Sequence, residues 1–108
     1  MKSRQLEKSK FWFLKRFDAY TAGAVEAKLN KLIAQGARKV ICDFSETEYL
    51  ASAGLRVLIT AIRNLQKIGG KLVLCAIKPY VLEVFDISGL NRIFKMYDSA
   101  DSAMQEIK

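Results

Sequence analysis

Apolar positions along the chain switch repeatedly between two periods. From Lys10 to Phe17 the period is two: Phe11, Phe13 and Phe17 lie to one side, Trp12, Leu14 and Arg16 to the other. An aromatic run of this kind predicts a strand. After Asp18-Ala19-Tyr20-Thr21 the steps become three and four. Val25, Leu29, Leu32 and Ile33 form a core face opposite Glu26, Lys28, Asn30 and Lys31, so a helix is expected with Thr21 as its cap and Gln35-Gly36 as its stop. Lys39 to Phe44 is largely apolar and rich in β-formers, as in the middle of a parallel sheet. Leu55, Leu58, Ile59, Ile62 and Leu65 then predict a second helix from about Ser52 to Ile68, closed by Gly69-Gly70. Lys71 to Ile77 reads as another buried strand. Pro79 opens a short helix with Val81, Val84 and Phe85 inward and a stop at Ser88-Gly89. Ile93 to Tyr97 reads as a weaker final strand, and Asp98 or Ser99 as the cap of a last helix with Ala103, Met104 and Ile107 inward.

This alternation predicts an α/β domain: a mostly parallel central sheet of four to five strands, about four helices and right-handed crossovers. The 108 residues suit one domain. Residues 1–10 are a basic segment or a short edge strand, and the domain itself is expected over 11–108. Functional surfaces of such sheets gather beyond the carboxyl ends of the strands. The loops 17–21 and 45–54 point there, so Asp18, Thr21 and Ser52 are expected on one rim.

The turn Ala51-Ser52-Ala53-Gly54 sits where the strand run 39–44 gives way to the helix. A serine at a helix start either caps a backbone N–H or offers its hydroxyl where the helix dipole favours a phosphate. Both readings stay open for Ser52. Asp18 is either a turn former or a partner contact, and Asp43 can hydrogen-bond the turn backbone. Arg56 stands in the first helical turn, where a cation opposes the dipole, which favours a role beyond the helix. Gly54 suits a close approach of another backbone, within the domain or across an interface.

Composition narrows the chemistry. The chain has no histidine, which removes the commonest general base, the usual zinc ligand and every Ser-His triad. No acid–base pair, metal cluster or cofactor motif is visible, so a binding module is expected and not an enzyme. Cys42 and Cys75 lie in apolar runs without a Cys-x-x-Cys pair and read as small buried hydrophobes. Of the net charge of +7, residues 1–16 carry +5, from six basic side chains and one acid. That arm could attract nucleic acid, but a solvated terminus beside an edge strand explains it more simply. The apolar runs are too short for a membrane span or a signal-peptide core, so a cytoplasmic protein without membrane insertion is expected.

Several separated segments resemble the STAS domains of bacterial anti-sigma-factor antagonists. Phe17-Asp18-Ala19-Tyr20-Thr21 is similar to their LDAxT segment. Asp43-x-Ser45 followed by Tyr49-Leu50-Ala51-Ser52-Ala53-Gly54-Leu55-Arg56-Val57-Leu58 is similar to their signature turn and helix. Gly69-Gly70-Lys71-Leu72-Val73-Leu74 and Val84-Phe85-x-x-x-Gly89-Leu90-x-x-Ile93-Phe94 match later segments. The resemblance covers roughly 11–107. It implies a small α/β domain that binds an anti-sigma serine kinase and frees the sigma factor. Phosphorylation of a serine at the start of the signature helix ends binding, and a serine phosphatase restores it. Carried over by position, the partner-binding residues are Asp18, Thr21, Glu48, Ala51, Ser52, Ala53, Gly54 and Arg56, with Ser52 as the phosphoacceptor. In the family pattern Asp-Ser-Ser-Gly-Leu the modified serine directly precedes the glycine, where this chain has Ala53. Either Ser52 accepts the phosphoryl group one position early, or the chain binds without being switched. The alternatives are a non-switching scaffold, stressosome-like or a lipid-transport partner, and a nucleic-acid-binding module using the basic N-terminus.

Overall fold

The computed structural model describes residues 8–12, for their backbone, and 15–107. Four parallel strands form the main sheet in the order β1 (Lys8–Trp12), β3 (Lys39–Asp43), β5 (Lys71–Cys75), β6 (Lys95–Tyr97). A second, two-stranded parallel sheet pairs β2 (Arg16–Phe17) with β4 (Tyr49–Leu50), Arg16 opposite Tyr49 and Phe17 opposite Leu50. The helices among the described residues are α1 (Ala22–Ala34), α2 (Ser52–Lys67), α3 (Pro79–Ser88) and α4 (Ala100–Glu106), with a 3-10 turn at Leu90–Arg92. The alternating α/β domain with a four-stranded parallel sheet is the one the pattern predicts. The N-terminal basic residues 1–7 lie outside the described residues.

Alternation along the strands builds two cores. Val40, Cys42, Leu72 and Leu74 face one side of the sheet and pack with Val25 and Leu29 of α1, Leu58, Ile62 and Leu65 of α2, and Val81 and Phe85 of α3. Ile41, Val73 and Cys75 face the other side and are covered by Ala103 and Ile107 near α4. Both faces are therefore buried, which is why the strands read as continuous apolar runs. Phe44, Phe85 and Phe94 stack edge to face in the larger core, with centroids 6.1 and 5.9 Å apart. Both cysteines are buried, and they face opposite sides of the sheet.

Several local expectations are corrected. The run 10–17 is not one strand: β1 joins the main sheet and β2 the small one. The last strand covers only Lys95–Tyr97, since Leu90–Arg92 winds into a 3-10 turn and Ile93 is exposed. Met104 points outward, because the short α4 offers the sheet only one buried position, Ala103. Ser99 is the cap of α4, its Oγ accepting from the Ser102 N–H at 3.1 Å.

Candidate functional site

The turn before α2 is built on the loop before α1. Phe17 ends β2, and its carbonyl accepts from the Ala51 N–H at 3.0 Å. Gly54 then passes so close to this loop that a Cβ there would lie 2.9 Å from the Phe17 carbonyl oxygen, 2.9 Å from Phe17 Cγ and 2.8 Å from Leu50 Cδ1. A glycine is required for the start of α2 to seat against β2 and β4. The close approach anticipated for Gly54 is thus internal to the domain. It brings loops 17–21 and 51–54 together at the carboxyl ends of β2 and β4.

Asp18 organises the first loop. Its Oδ1 accepts from the backbone N–H groups of Tyr20 (2.9 Å) and Thr21 (3.3 Å), and Arg16 Nε donates to Oδ2 at 3.3 Å. Burial alone would raise the Asp18 pKa, but the hydrogen bonds from Tyr20, Arg16 and Thr21 together outweigh it and hold the carboxyl below its ordinary range. Thr21 stands at the N-cap of α1 without a side-chain capping bond. Its hydroxyl instead accepts from the Asp18 N–H (3.0 Å) and donates to the Arg16 carbonyl (3.0 Å). The Asp18 carboxylate closes the turn ahead of the helix on the Tyr20 and Thr21 N–H groups, and its backbone carbonyl takes the Ala22 N–H at 2.8 Å. Asp43 acts similarly one loop away, accepting from the Ser45 N–H at 2.9 Å.

In the second loop the cap position of α2 belongs to Ala51, which has no side-chain acceptor. Ser52 is the first helical residue and exposed. The cap reading of Ser52 is therefore corrected: one position further in, its oxygen is no longer placed over the first-turn N–H groups. The Ala51 carbonyl takes the Gly54 (2.9 Å) and Leu55 (3.2 Å) N–H groups. The N–H groups of Ser52 and Ala53 have no acceptor within the helix, so the end is electropositive. Ala53 and Arg56 line a groove of about 250 Å3 with Ala22, Gly23, Glu26, Val57 and Thr60. Glu48 is exposed on the way into β4, its N–H donating to the Lys15 carbonyl at 2.7 Å.

Two contributors were hidden from sequence reasoning. Arg16, one of the six basic side chains of residues 1–16, is bonded to Asp18, and its guanidinium lies 4.4 Å from the Tyr49 ring centroid. Tyr20 is 97% exposed at the tip of the Asp18 turn. The period-two spacing of Arg16 and Asp18 was the only available signal for their pairing. The Tyr49 contact depends on strand pairing across more than thirty residues.

Among the described residues there is no group of His, Cys, Asp and Glu that could hold a metal, and no helix long and apolar enough to cross a membrane.

A family model described as the STAS domain matches residues 13–103. A Bordetella bronchiseptica protein, BtrV, carrying the name of an anti-sigma factor antagonist, is 40% identical over 87 residues, covering 81% of this chain and 75% of its own. The anti-sigma-B factor antagonist of Bacillus subtilis is 32% identical over 88 residues, covering 82% and 80%. Among solved structures, the Bacillus cell fate determinant SpoIIAA is similar in fold. Its unphosphorylated form superimposes with a TM-score of 0.82 at 21% identity over 94% of this chain and 89% of its own. Its phosphorylated form gives a TM-score of 0.74 at 20% identity over 94% and 93%.

Proposed function

The chain belongs to the STAS domain family, and from that premise we propose that it is an anti-sigma factor antagonist. In this reading it is a binding module of the cytoplasm, with no catalysis of its own. It docks on an anti-sigma serine kinase through the Asp18 loop and the Ser52 turn and so frees a sigma factor. Asp18, Thr21, Glu48, Ala51, Ser52, Ala53, Gly54 and Arg56 are the proposed contact residues, and Ser52 the proposed phosphoacceptor. The names of its relatives support the role. One observation carries the switch: an exposed Ser52 at the first position of α2, released from capping and beside N–H groups with no intrahelical acceptor.

A phosphoryl group on Ser52 would add nearly two negative charges and three acceptor oxygens. The domain would tolerate it, since the helix end favours an anion. A partner seated on the same turn would meet added bulk and charge, so binding would end without refolding. Dephosphorylation by a serine phosphatase would restore it. Incubation with the kinase and ATP should add one phosphate, lost in Ser52→Ala; mass spectrometry reads it. A Ser52→Ala protein that still acquires the phosphate refutes the assignment. Ala53 directly before Gly54 favours the second reading, a STAS module that docks without being switched. An unmodified protein that still binds the kinase would select it.

A further inference from the structure

Charge is sorted on three of the four described helices, α1 being mixed with Glu26, Lys28 and Lys31. α2 carries Arg56, Arg63 and Lys67 and no acidic residue, whereas α3 carries Glu83 and Asp86 and α4 carries Asp101 and Glu106, with no basic residue in either. At 100° per residue, Ser52, Arg56, Thr60, Arg63 and Lys67 fall within about 80° of the α2 circumference. All five are exposed. They lie opposite the buried stripe of Leu55, Leu58, Ile62 and Leu65. Among the described residues none of the three cations takes part in an ion pair, the described pair being Arg16 with Asp18.

The N-terminal half of the stripe borders the groove of about 250 Å3 between α1 and α2, where Arg56 and Thr60 stand and Glu26 is the one acid among the described lining residues. Arg63 and Lys67 stand on the open surface of α2 beyond it. Arg56 stands in the first turn of the helix, where the dipole disfavours a cation. A face that only needs hydration requires neither this sorting of sign nor a cation at that end.

We propose that this stripe is a docking track for an acidic segment of the anti-sigma partner, running from the Ser52 turn to Lys67. The proposal rests on the antagonist reading and extends its contact surface along the helix. Three unneutralised cations in a row on an exposed helix face complement aspartate and glutamate side chains, raise the rate of encounter and fix the direction in which the partner lies. Ser52 begins the stripe. Phosphate there would sit one turn from Arg56, close enough to pair with it and to remove the first cation from the track.

The test is surface plasmon resonance with the purified anti-sigma kinase across a salt series, using the whole chain. R63E/K67E should lower the association rate by about tenfold and flatten its salt dependence, with the melting temperature down by only a few degrees, since acids at the end of α2 oppose its dipole. Lys95→Glu/Lys71→Glu makes the same change of net charge at strand positions off the stripe and should leave the rate within about twofold. The stripe is overturned if R63E/K67E associates like the parent, or if the control pair slows association equally. Absence of any binding by the unaltered chain sinks the antagonist reading together with this partner. A duplex oligonucleotide held through Arg63 and Lys67, or a salt-sensitive dimer broken by the same substitutions, would assign the stripe to another occupant and overturn the proposal.

Discussion

Gly54→Ala is the most informative single perturbation, because two opposed effects can be weighed in advance. Alanine in a helix is favoured over glycine by up to about 1 kcal/mol. Against this, the new methyl carbon would stand 2.8–2.9 Å from Leu50 Cδ1, Phe17 Cγ and the Phe17 carbonyl oxygen. Leu50 and Phe17 are buried, and the carbonyl belongs to the backbone that holds the Ala51 N–H, so none of the three yields cheaply. Overpacking of this kind costs about 1–3 kcal/mol, and the backbone contact argues for the upper half. The net expectation is a loss of about 1–2 kcal/mol, seen as a fall of about 4–8 °C in melting temperature for a chain of this size. Gly23→Ala supplies the control, since a Cβ there meets nothing within 4 Å and the position is helical. It should leave stability unchanged or raise it by up to about 1 kcal/mol. Calorimetry or circular dichroism reads both. A Gly54→Ala protein as stable as the parent would refute the claim that loop 51–54 is seated by contact with Phe17.

Ser99→Ala should cost about 1 kcal/mol by denaturant titration, because the Ser102 N–H loses its acceptor. The Asp18 carboxyl, held below its ordinary pKa of 3.8, contributes stability that is complete above that value. That contribution is lost as pH falls through the lower, folded value. Asp18→Asn should remove this part of the acid sensitivity, and an unchanged acid limb in the unfolding profile would contradict it. Burial pushes the Cys42 thiol far up and leaves Cys75 inaccessible, so neither should react with a thiol reagent until the protein unfolds. Ser52→Ala should abolish phosphate incorporation without lowering stability, since Ser52 is not the residue at the cap of α2.

The sequence by itself determined the order of the four described helices and of the inner strands between them, the parallel α/β class and the burial of Cys42 and Cys75, because these follow from local periodicity repeated over many residues. It also marked the Ser52 turn and the Asp18 loop, through small and acidic residues placed between periodic segments. It left two questions at the rim open, cap or phosphate carrier for Ser52 and turn former or contact for Asp18. Tertiary structure decided the geometry of both. A cap depends on a shift of one residue, and the α2 start is set by Gly54 seating against Phe17 rather than by any property of Ser52. The Asp18 carboxylate closes the turn before α1, because that turn folds it onto its own backbone. The pairing of β2 with β4 involves two residues on each side, too short to carry a period. Yet that pairing brings Arg16 onto Tyr49 and the two loops to one rim. Contacts between segments thirty residues apart cost loop entropy and are fixed by packing of the whole domain, so no local pattern announces them.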